Sequence, residues 1–81
     1  MGGVVVEHGI LITYSWGDAE EPIQCASLKE AWEQAKQLVI NEAEEAAAGW
    51  DADSIIHFDL DNNKIILNYT YDNTFCYYQC F

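Results

Sequence analysis

The 81-residue chain has no arginine and only three lysines, against 14 aspartates and glutamates. Its formal net charge at neutral pH is therefore −11. Arginine is the side chain best suited to clamp phosphates and carboxylates, so its absence argues against a site for anionic ligands. A chain of this charge repels nucleic-acid backbones and anionic membranes, and it is attracted to basic protein surfaces. We therefore expect it to contact neither nucleic acid nor membrane directly.

Signals for export, membrane insertion and catalysis are also missing. No basic N-terminal segment precedes a long apolar run, and no apolar stretch approaches membrane-spanning length. The three cysteines show neither a disulfide-framework spacing nor a C-x-x-C pair, and no glycine-rich phosphate loop is present. A nucleophilic pair would need Cys25 beside His8 or His57, without a basic residue to activate the thiol. We predict a cytoplasmic, non-enzymatic protein with reduced thiols and no cofactor.

Apolar residues are abundant despite the charge. They make up 51% of the chain, and aromatic residues make up 14%. A disordered acidic tail would lack such residues, so the composition predicts a folded protein. The length allows one domain, covering residues 1–81.

The order of patterns along the chain predicts the fold class. Residues 10–16 have the composition of a strand, residues 17–22 that of a turn, and residues 23–26 that of a short return strand. Residues 4–6 either extend the first strand or add an edge. After a helical segment, three further strands are predicted, over residues 55–61, 64–71 and 74–81. The prediction is an α+β fold with two layers, in which one helix packs on an antiparallel sheet of four to five strands in the order β-β-α-β-β-β.

The helix has the clearest signature. Ser27 followed by Glu30 matches a capping box. Gly49 is a candidate for the C-terminal stop, with Trp50 folding back on the last turn. Apolar residues recur at helical spacing and form one stripe. The members of this stripe are Leu28, Ala31, Trp32, Ala35, Leu38, Val39, Ala43 and Ala46.

Two dipeptides, Asn62-Asn63 and Asp72-Asn73, suit two-residue hairpin turns, which fix the register of the last three strands. The predicted pairs in the first hairpin are Leu60 with Ile65, Phe58 with Leu67, and Ile56 with Tyr69. Those in the second are Tyr69 with Cys76, Leu67 with Tyr78, and Ile65 with Cys80. All these side chains share the face that the helix should cover, so both late cysteines are expected to point inward as buried structural thiols.

The opposite sheet face is expected to be unusually apolar for a solvent-exposed surface. It should carry Ile55, His57, Asp59, Ile66, Asn68, Thr70, Phe75, Tyr77, Gln79 and Phe81. Exposed aromatic patches often mark partner sites, so we predict an interface on this face. The alternatives are that the N-terminal segment or a second copy of the chain covers it.

Glu42 falls on the apolar stripe of the helix. We expect the last helical turns to extend beyond the sheet and leave this side chain solvated. The alternative is a partly buried Glu42 with a partner such as Lys64 or a tyrosine hydroxyl. In the first case, Glu42, Glu44 and Glu45 lie close to Asp51 and Asp53, and the five residues form one dense acidic cluster.

Segment 59–63 begins like a calcium-binding loop, with oxygen-bearing side chains at alternate positions. Lys64 then occupies the position that needs glycine, and Thr70 the position that needs a bidentate glutamate. Turn formation by aspartate and asparagine explains the same residues, so no metal site is predicted. Weak binding of a divalent cation remains an alternative, through Asp51, Asp53, Asp59 and Asp61.

In size, charge and strand–helix–meander organisation, the chain resembles the small acidic phage-encoded inhibitors of host defence, including anti-CRISPR and DNA-mimic anti-restriction proteins. The resemblance is one of type, without a matched motif. It implies an inhibitor that occupies the basic, nucleic-acid-binding surface of a host defence or nucleic-acid-handling protein. The alternative is a self-assembling protein that forms a homodimer through its aromatic sheet face. The residues predicted to bind the partner are Glu42, Glu44, Glu45, Asp51, Asp53, Asp59, Asp61, His57, Ile66, Phe75, Tyr77 and Phe81.

Overall fold

A computed structural model describes residues 6–17, 21–50, 53–70 and 72–81. One helix packs on a five-stranded antiparallel sheet, which confirms the predicted α+β class and element order. The elements are β1 (Gly9–Tyr14), β2 (Ile23–Gln24), α1 (Leu28–Trp50), β3 (Ser54–Asp59), β4 (Lys64–Tyr69) and β5 (Phe75–Cys80). Of residues 4–6, only Val6 is described, and it belongs to no strand.

The strand order is β2-β1-β5-β4-β3. The first long strand therefore lies beside the last one, and Gly9 and Phe81 exchange two backbone hydrogen bonds of 3.0 Å. The two edges of the sheet are the two-residue β2 and the six-residue β3.

The core lies between α1 and one face of the sheet. Small helix residues, Ala31, Ala35 and Val39, are fully buried and allow the helix to approach the strands closely. The fully buried sheet side chains against them are Ile10, Ile65, Leu67 and Cys76. Burying an aliphatic side chain of this size contributes about 1.5–3 kcal/mol, so this layer is the main source of stability.

The direction of α1 follows from two contacts with the sheet. Near its start, the Trp32 indole N–H donates to the Asn63 side-chain oxygen in the β3–β4 turn, at 3.4 Å. In the C-terminal half of the helix, Glu42 accepts a hydrogen bond of 2.9 Å from the Tyr69 hydroxyl at the end of β4. The C-terminal half of the helix therefore lies at the end of the sheet where β3 begins and β4 ends.

The predicted helix start is confirmed, whereas the predicted end is wrong. The Glu30 backbone N–H donates to the Ser27 hydroxyl at 3.1 Å, and the Glu30 carboxylate accepts from the backbone N–H of Ala26. At the other end, α1 continues through Gly49 to Trp50. The preceding run of alanines is the best helix-forming sequence available, and no proline follows to stop it.

The predicted strand pairs are wrong by two residues, although the side chains that lie within β3, β4 and β5 are assigned to the correct face. Ile56 lies opposite Leu67 and Phe58 opposite Ile65; in the second hairpin Ile65 lies opposite Tyr78. The first connection uses four residues, 60–63, because β3 ends at Asp59. A shift of two preserves the alternation of faces, since side chains repeat with period two along a strand.

The prediction that the late cysteines point inward is confirmed, because Cys76 and Cys80 are both buried. The expected burial of Phe58 and Leu60 under the helix is wrong: they are 53% and 71% exposed. Phe58 lies on the edge strand, where it has sheet neighbours on one side only. Leu60 lies in the turn after β3 and has no strand partner.

Candidate protein-binding surfaces

The sheet surface opposite α1 is the first candidate surface, and we call it the outer face. Its side chains alternate along β1, β3, β4 and β5 with those on the helix side of the sheet, and no described element covers it. They are Leu11, Thr13, Ile55, His57, Asp59, Lys64, Ile66, Asn68, Phe75, Tyr77 and Gln79, with Phe81 following β5. Ile55 is 53% and Phe75 37% exposed. An apolar surface of this kind is typical of a partner site and not of a sheet face that meets only water.

The centre of the outer face is organised around Tyr77. Its ring stacks with Phe75, with the ring centroids 6.2 Å apart, and the Lys64 ammonium lies 5.0 Å from the Tyr77 centroid. Lys64 also pairs across the strands with Asp59. One lysine and one aspartate cancel, so the outer face has almost no net charge while it presents two aromatic rings.

The negative charge lies elsewhere on the molecule. The eight exposed carboxylate residues that the structure describes are Glu7, Glu21, Glu33, Glu44, Glu45, Asp53, Asp61 and Asp72, and none belongs to the outer face. The 14 acidic residues far outnumber the three lysines, so most carboxylates cannot have a lysine of their own as a partner. The surface around the apolar face is therefore strongly negative.

Four exposed acidic residues, Glu44, Glu45, Asp53 and Asp72, define what we call the acidic end. Glu44 and Glu45 lie in the C-terminal part of α1. The Asp53 carbonyl accepts a hydrogen bond of 3.1 Å from the Thr70 N–H, which places Asp53 beside the β4–β5 turn that contains Asp72. No basic residue occupies the last turn of α1, so the negative end of the helix dipole adds to these charges.

The expectation that Glu42 is solvated is wrong. Glu42 is half-buried and accepts a hydrogen bond of 2.9 Å from the Tyr69 hydroxyl, which is the tyrosine partner considered as the alternative. Burial, followed by this hydrogen bond to Glu42, raises the pKa of Tyr69 far above its ordinary value. The raised pKa keeps the Tyr69 hydroxyl protonated at neutral pH, as its role as hydrogen-bond donor to Glu42 requires. Glu42 belongs to the helix–sheet junction, unlike the exposed Glu44 and Glu45.

The remaining predicted acidic residues do not form one cluster. Asp61 is exposed in the β3–β4 turn, at the opposite end of β3 from Asp53, and Asp51 lies outside the described residues. Asp59 accepts hydrogen bonds from the backbone and side-chain amides of Asn62, at 3.4 Å and 2.9 Å. This is the turn-forming role predicted for it. Among the described residues, no group of three or more His, Cys, Asp or Glu side chains is placed to hold a metal ion.

All three cysteines are free and buried. Burial raises the pKa of Cys76 and of Cys80 to about 11, and burial with the nearby Glu30 raises that of Cys25. Cys25 is indeed a neighbour of His8, because its backbone N–H donates to the His8 carbonyl at 2.8 Å. A thiol with a raised pKa is protonated at neutral pH and is a weak nucleophile.

Sequence reasoning missed two residues of the outer face and the exposure of two residues near the edge of the sheet. Leu11 and Thr13 enter the outer face because β1 pairs with β5, and that pairing joins the two ends of the chain. No local pattern signals it. Phe58 and Leu60 are exposed near the edge of the sheet. The strand order makes β3 an edge strand, and the exposure of Phe58 could have been predicted only with that order known.

Comparison with known proteins finds no matching family model, no similar curated protein and no similar solved structure. No helix in the described part of the chain combines the length and the apolar character needed to cross a membrane. The candidate function therefore rests on the two surfaces alone.

Proposed function

We propose that this protein is a non-catalytic inhibitor that occupies the basic, nucleic-acid-binding surface of another protein. The observation that supports this proposal is the separation of charge from apolar surface. An almost uncharged aromatic face lies on a chain whose formal net charge is −11. A groove built to receive phosphates accepts carboxylates at similar spacing. The proposed targets are host-defence and other nucleic-acid-handling proteins.

The two surfaces have different tasks in this mechanism. The carboxylates steer the approach to a basic partner, and long-range attraction raises association rates up to about 10⁸–10⁹ M⁻¹s⁻¹ at low salt. The rings of Phe75 and Tyr77, with Ile66 opposite Tyr77 and Ile55 further along the same face, then exclude water at the contact and slow dissociation. Charge alone would give a contact that is lost at physiological salt. The apolar face supplies the part of the binding that salt does not screen.

Self-assembly through the outer face is the second candidate function, since the stacked rings of Phe75 and Tyr77 are as suitable for a second copy as for another protein. This candidate gives no task to the excess of carboxylates beyond solubility. It also requires two chains of charge −11 to approach each other. Both points favour the heterologous partner.

The test is capture of partners from a nuclease-treated bacterial lysate, in which nucleic acid cannot bridge two proteins. The immobilised wild-type protein should retain basic nucleic-acid-binding proteins. Retention should fall steeply as salt rises from about 0.05 M to about 0.5 M, because the Debye length shortens from more than 10 Å to a few ångströms. A triple variant, Glu33→Gln, Glu44→Gln and Glu45→Gln, should lose most of the retained protein, because all three side chains are exposed on α1.

Matched variants separate charge from general damage to the surface. Lys29→Gln with Lys36→Gln alters exposed positions on the same helix but makes the charge more negative, so retention should be kept or increased. On the outer face, Phe75→Ser with Tyr77→Ser should reduce retention at physiological salt. Trp16→Ser, which removes a 53% exposed ring outside the outer face, should not. Wild-type protein that retains nothing in low salt would contradict the proposal.

A further inference from the structure

The two edges of the sheet differ in how they are protected against pairing with another chain. β2 is only two residues long and follows Pro22, and both features blunt an edge. β3 is six residues long and pairs with β4 without interruption from Ser54 to Asp59. It contains no lysine, no proline and no bulge, which are the usual devices that prevent strand addition.

The hydrogen-bond alternation shows which backbone groups point away from the sheet. The Thr70 N–H donates to the Asp53 carbonyl, so Asp53 faces β4. In an antiparallel pair, alternate residues face the partner strand. Ile55 and His57 therefore also face β4 with their backbone groups, whereas the N–H and C=O groups of Ser54, Ile56 and Phe58 point outward. No described strand lies on that side.

This edge carries apolar side chains on both faces of the sheet. Ile55 and the exposed His57 belong to the outer face, and Ile55 is 53% exposed. Phe58, on the helix side, is also 53% exposed. An added strand would place its own side chains beside these on both faces, and would extend the outer face across the new strand.

Charge identifies the kind of strand that fits. Exposed carboxylates lie at both ends of β3, Asp53 before it and Asp61 just after it. A segment with apolar residues in its middle and lysine or arginine at its ends complements this arrangement. A second copy of the chain does not, since it would bring the same aspartates and another charge of −11 to the edge.

We infer that the free edge of β3 is a strand-addition site for an extended segment of the partner protein, apolar at alternate positions and flanked by basic residues. This inference rests on the proposed function, because it names the part of the basic partner that is bound. The outward N–H and C=O groups of Ser54, Ile56 and Phe58 would supply the affinity. The apolar side chains on both faces, and the aspartates at the two ends, would supply the selectivity.

The probe is a synthetic peptide in which valine alternates with polar residues and lysine stands at both ends. On addition of this peptide, the backbone amides of Ser54, Ile56 and Phe58 should exchange with solvent about tenfold more slowly. The amides of Ile55 and His57, already bonded to β4, should change little. Two control peptides should not bind: one with N-methyl groups on alternate amides, and one with glutamate in place of lysine.

Two pairs of variants test the edge itself. Phe58→Pro removes an outward N–H that Phe58→Ala keeps. The dissociation constant of the peptide should therefore be about tenfold higher for the proline variant than for the alanine variant. Ser54→Pro against Ser54→Ala repeats the test at the first residue of the strand, where proline is best tolerated, in case Phe58→Pro does not fold. Equal binding by the proline and alanine variants, or protection of amides away from β3, would overturn the inference. The inference would also be overturned if the wild-type protein sediments as a dimer and the Ser54→Pro variant sediments as a monomer.

Failure here is distinguishable from failure of the proposed function. If Ser54→Pro still captures basic proteins while the triple glutamine variant of α1 does not, the edge is not the site and the proposed function stands. If the wild type captures nothing, the proposed function fails, and the exchange experiment with the peptide still decides whether β3 accepts a strand.

Discussion

At the scale of single residues, Glu42 joins α1 to the sheet by accepting the hydrogen bond of the Tyr69 hydroxyl. Its position on the apolar stripe was correctly identified from the 3.6-residue period. Whether a charged side chain there is solvated or bonded depends on a residue from another element. Tyr69 is 27 positions away in the sequence and supplies the hydroxyl. A buried carboxylate is retained only with such a partner, so the pair is a structural contact between α1 and β4.

Removal of the Tyr69 hydroxyl should therefore destabilise the protein. Tyr69→Phe leaves the half-buried Glu42 carboxylate without this donor, and we expect it to lower the free energy of unfolding by about 1–3 kcal/mol. Urea denaturation followed by circular dichroism measures the change. Tyr77→Phe, on the outer face, is the control and should stay within about 0.5 kcal/mol of wild type. Equal stabilities of the two variants would contradict the described contact.

The buried thiols make a prediction about alkaline pH. In the unfolded chain, Cys76 and Cys80 lose their protons near the ordinary value of 9.0, whereas burial in the fold raises the pKa of each to about 11. Above the ordinary value, the folded state holds more protons than the unfolded state, so stability falls as pH rises and is fully present below pH 9. The loss should reach about 1 kcal/mol for each thiol by about pH 10.

The measurement is the free energy of unfolding at several pH values between about 8 and 10, under reducing conditions. Cys76→Ala with Cys80→Ala lowers stability at every pH because it leaves cavities, but it should flatten the slope over this range. Wild-type stability that is constant or rises with pH would show that the thiols are not buried as described.

At the scale of elements, the hairpins show how a turn can be recognised and its length still be missed. Asn63 has the positive φ (53°) expected for a turn, but Asn62 does not share it. The Asp59 carboxylate accepts from Asn62 and so begins the turn two residues earlier than predicted. Local sequence therefore predicts the faces of β3 and β4, because these depend on parity. It does not predict the exact pairs, because these depend on the hydrogen bonds inside the turn.

Gly49 tests the end of the helix directly. It lies inside α1, and an added Cβ would meet nothing within 4 Å. Gly49→Ala should therefore stabilise the protein by about 0.5–1 kcal/mol, because alanine loses less backbone entropy in a helix. If Gly49 instead ended the helix with a positive φ, the same change would destabilise it. Gly17→Ala is the control: Gly17 has a φ of 100°, so alanine there should lower the thermal midpoint.

At the scale of the whole molecule, the amino-acid composition predicts the excess of negative charge. The strand register predicts that the outer face carries almost none of it. The alternation of Phe75, Tyr77 and Gln79 with buried cysteines was sufficient to identify the outer face. The sequence does not predict the strand order, because the pairing of β1 with β5 closes the longest loop in the chain. The identity of the free edge follows from that order alone.

The large negative charge lowers the stability of the fold, and solubility alone would not require a charge of this size. Glu44 and Glu45 lie towards the negative end of a helix without a basic residue in its last turn, and negative charge at that end of a helix is unfavourable. A soluble protein of this size needs a net charge of only about 2–8 in magnitude. The larger charge and the exposed aromatic face are accounted for together if the molecule binds a basic protein surface.

The central claim is that the chain and nucleic acid compete for the same surface. The most direct measurement is the release of a captured protein by duplex DNA of increasing length and concentration, at constant ionic strength. Competitive displacement predicts that each captured protein is released by DNA in proportion to its own affinity for DNA, and that DNA never joins the complex. A stable ternary complex of this protein, its partner and DNA would contradict the account.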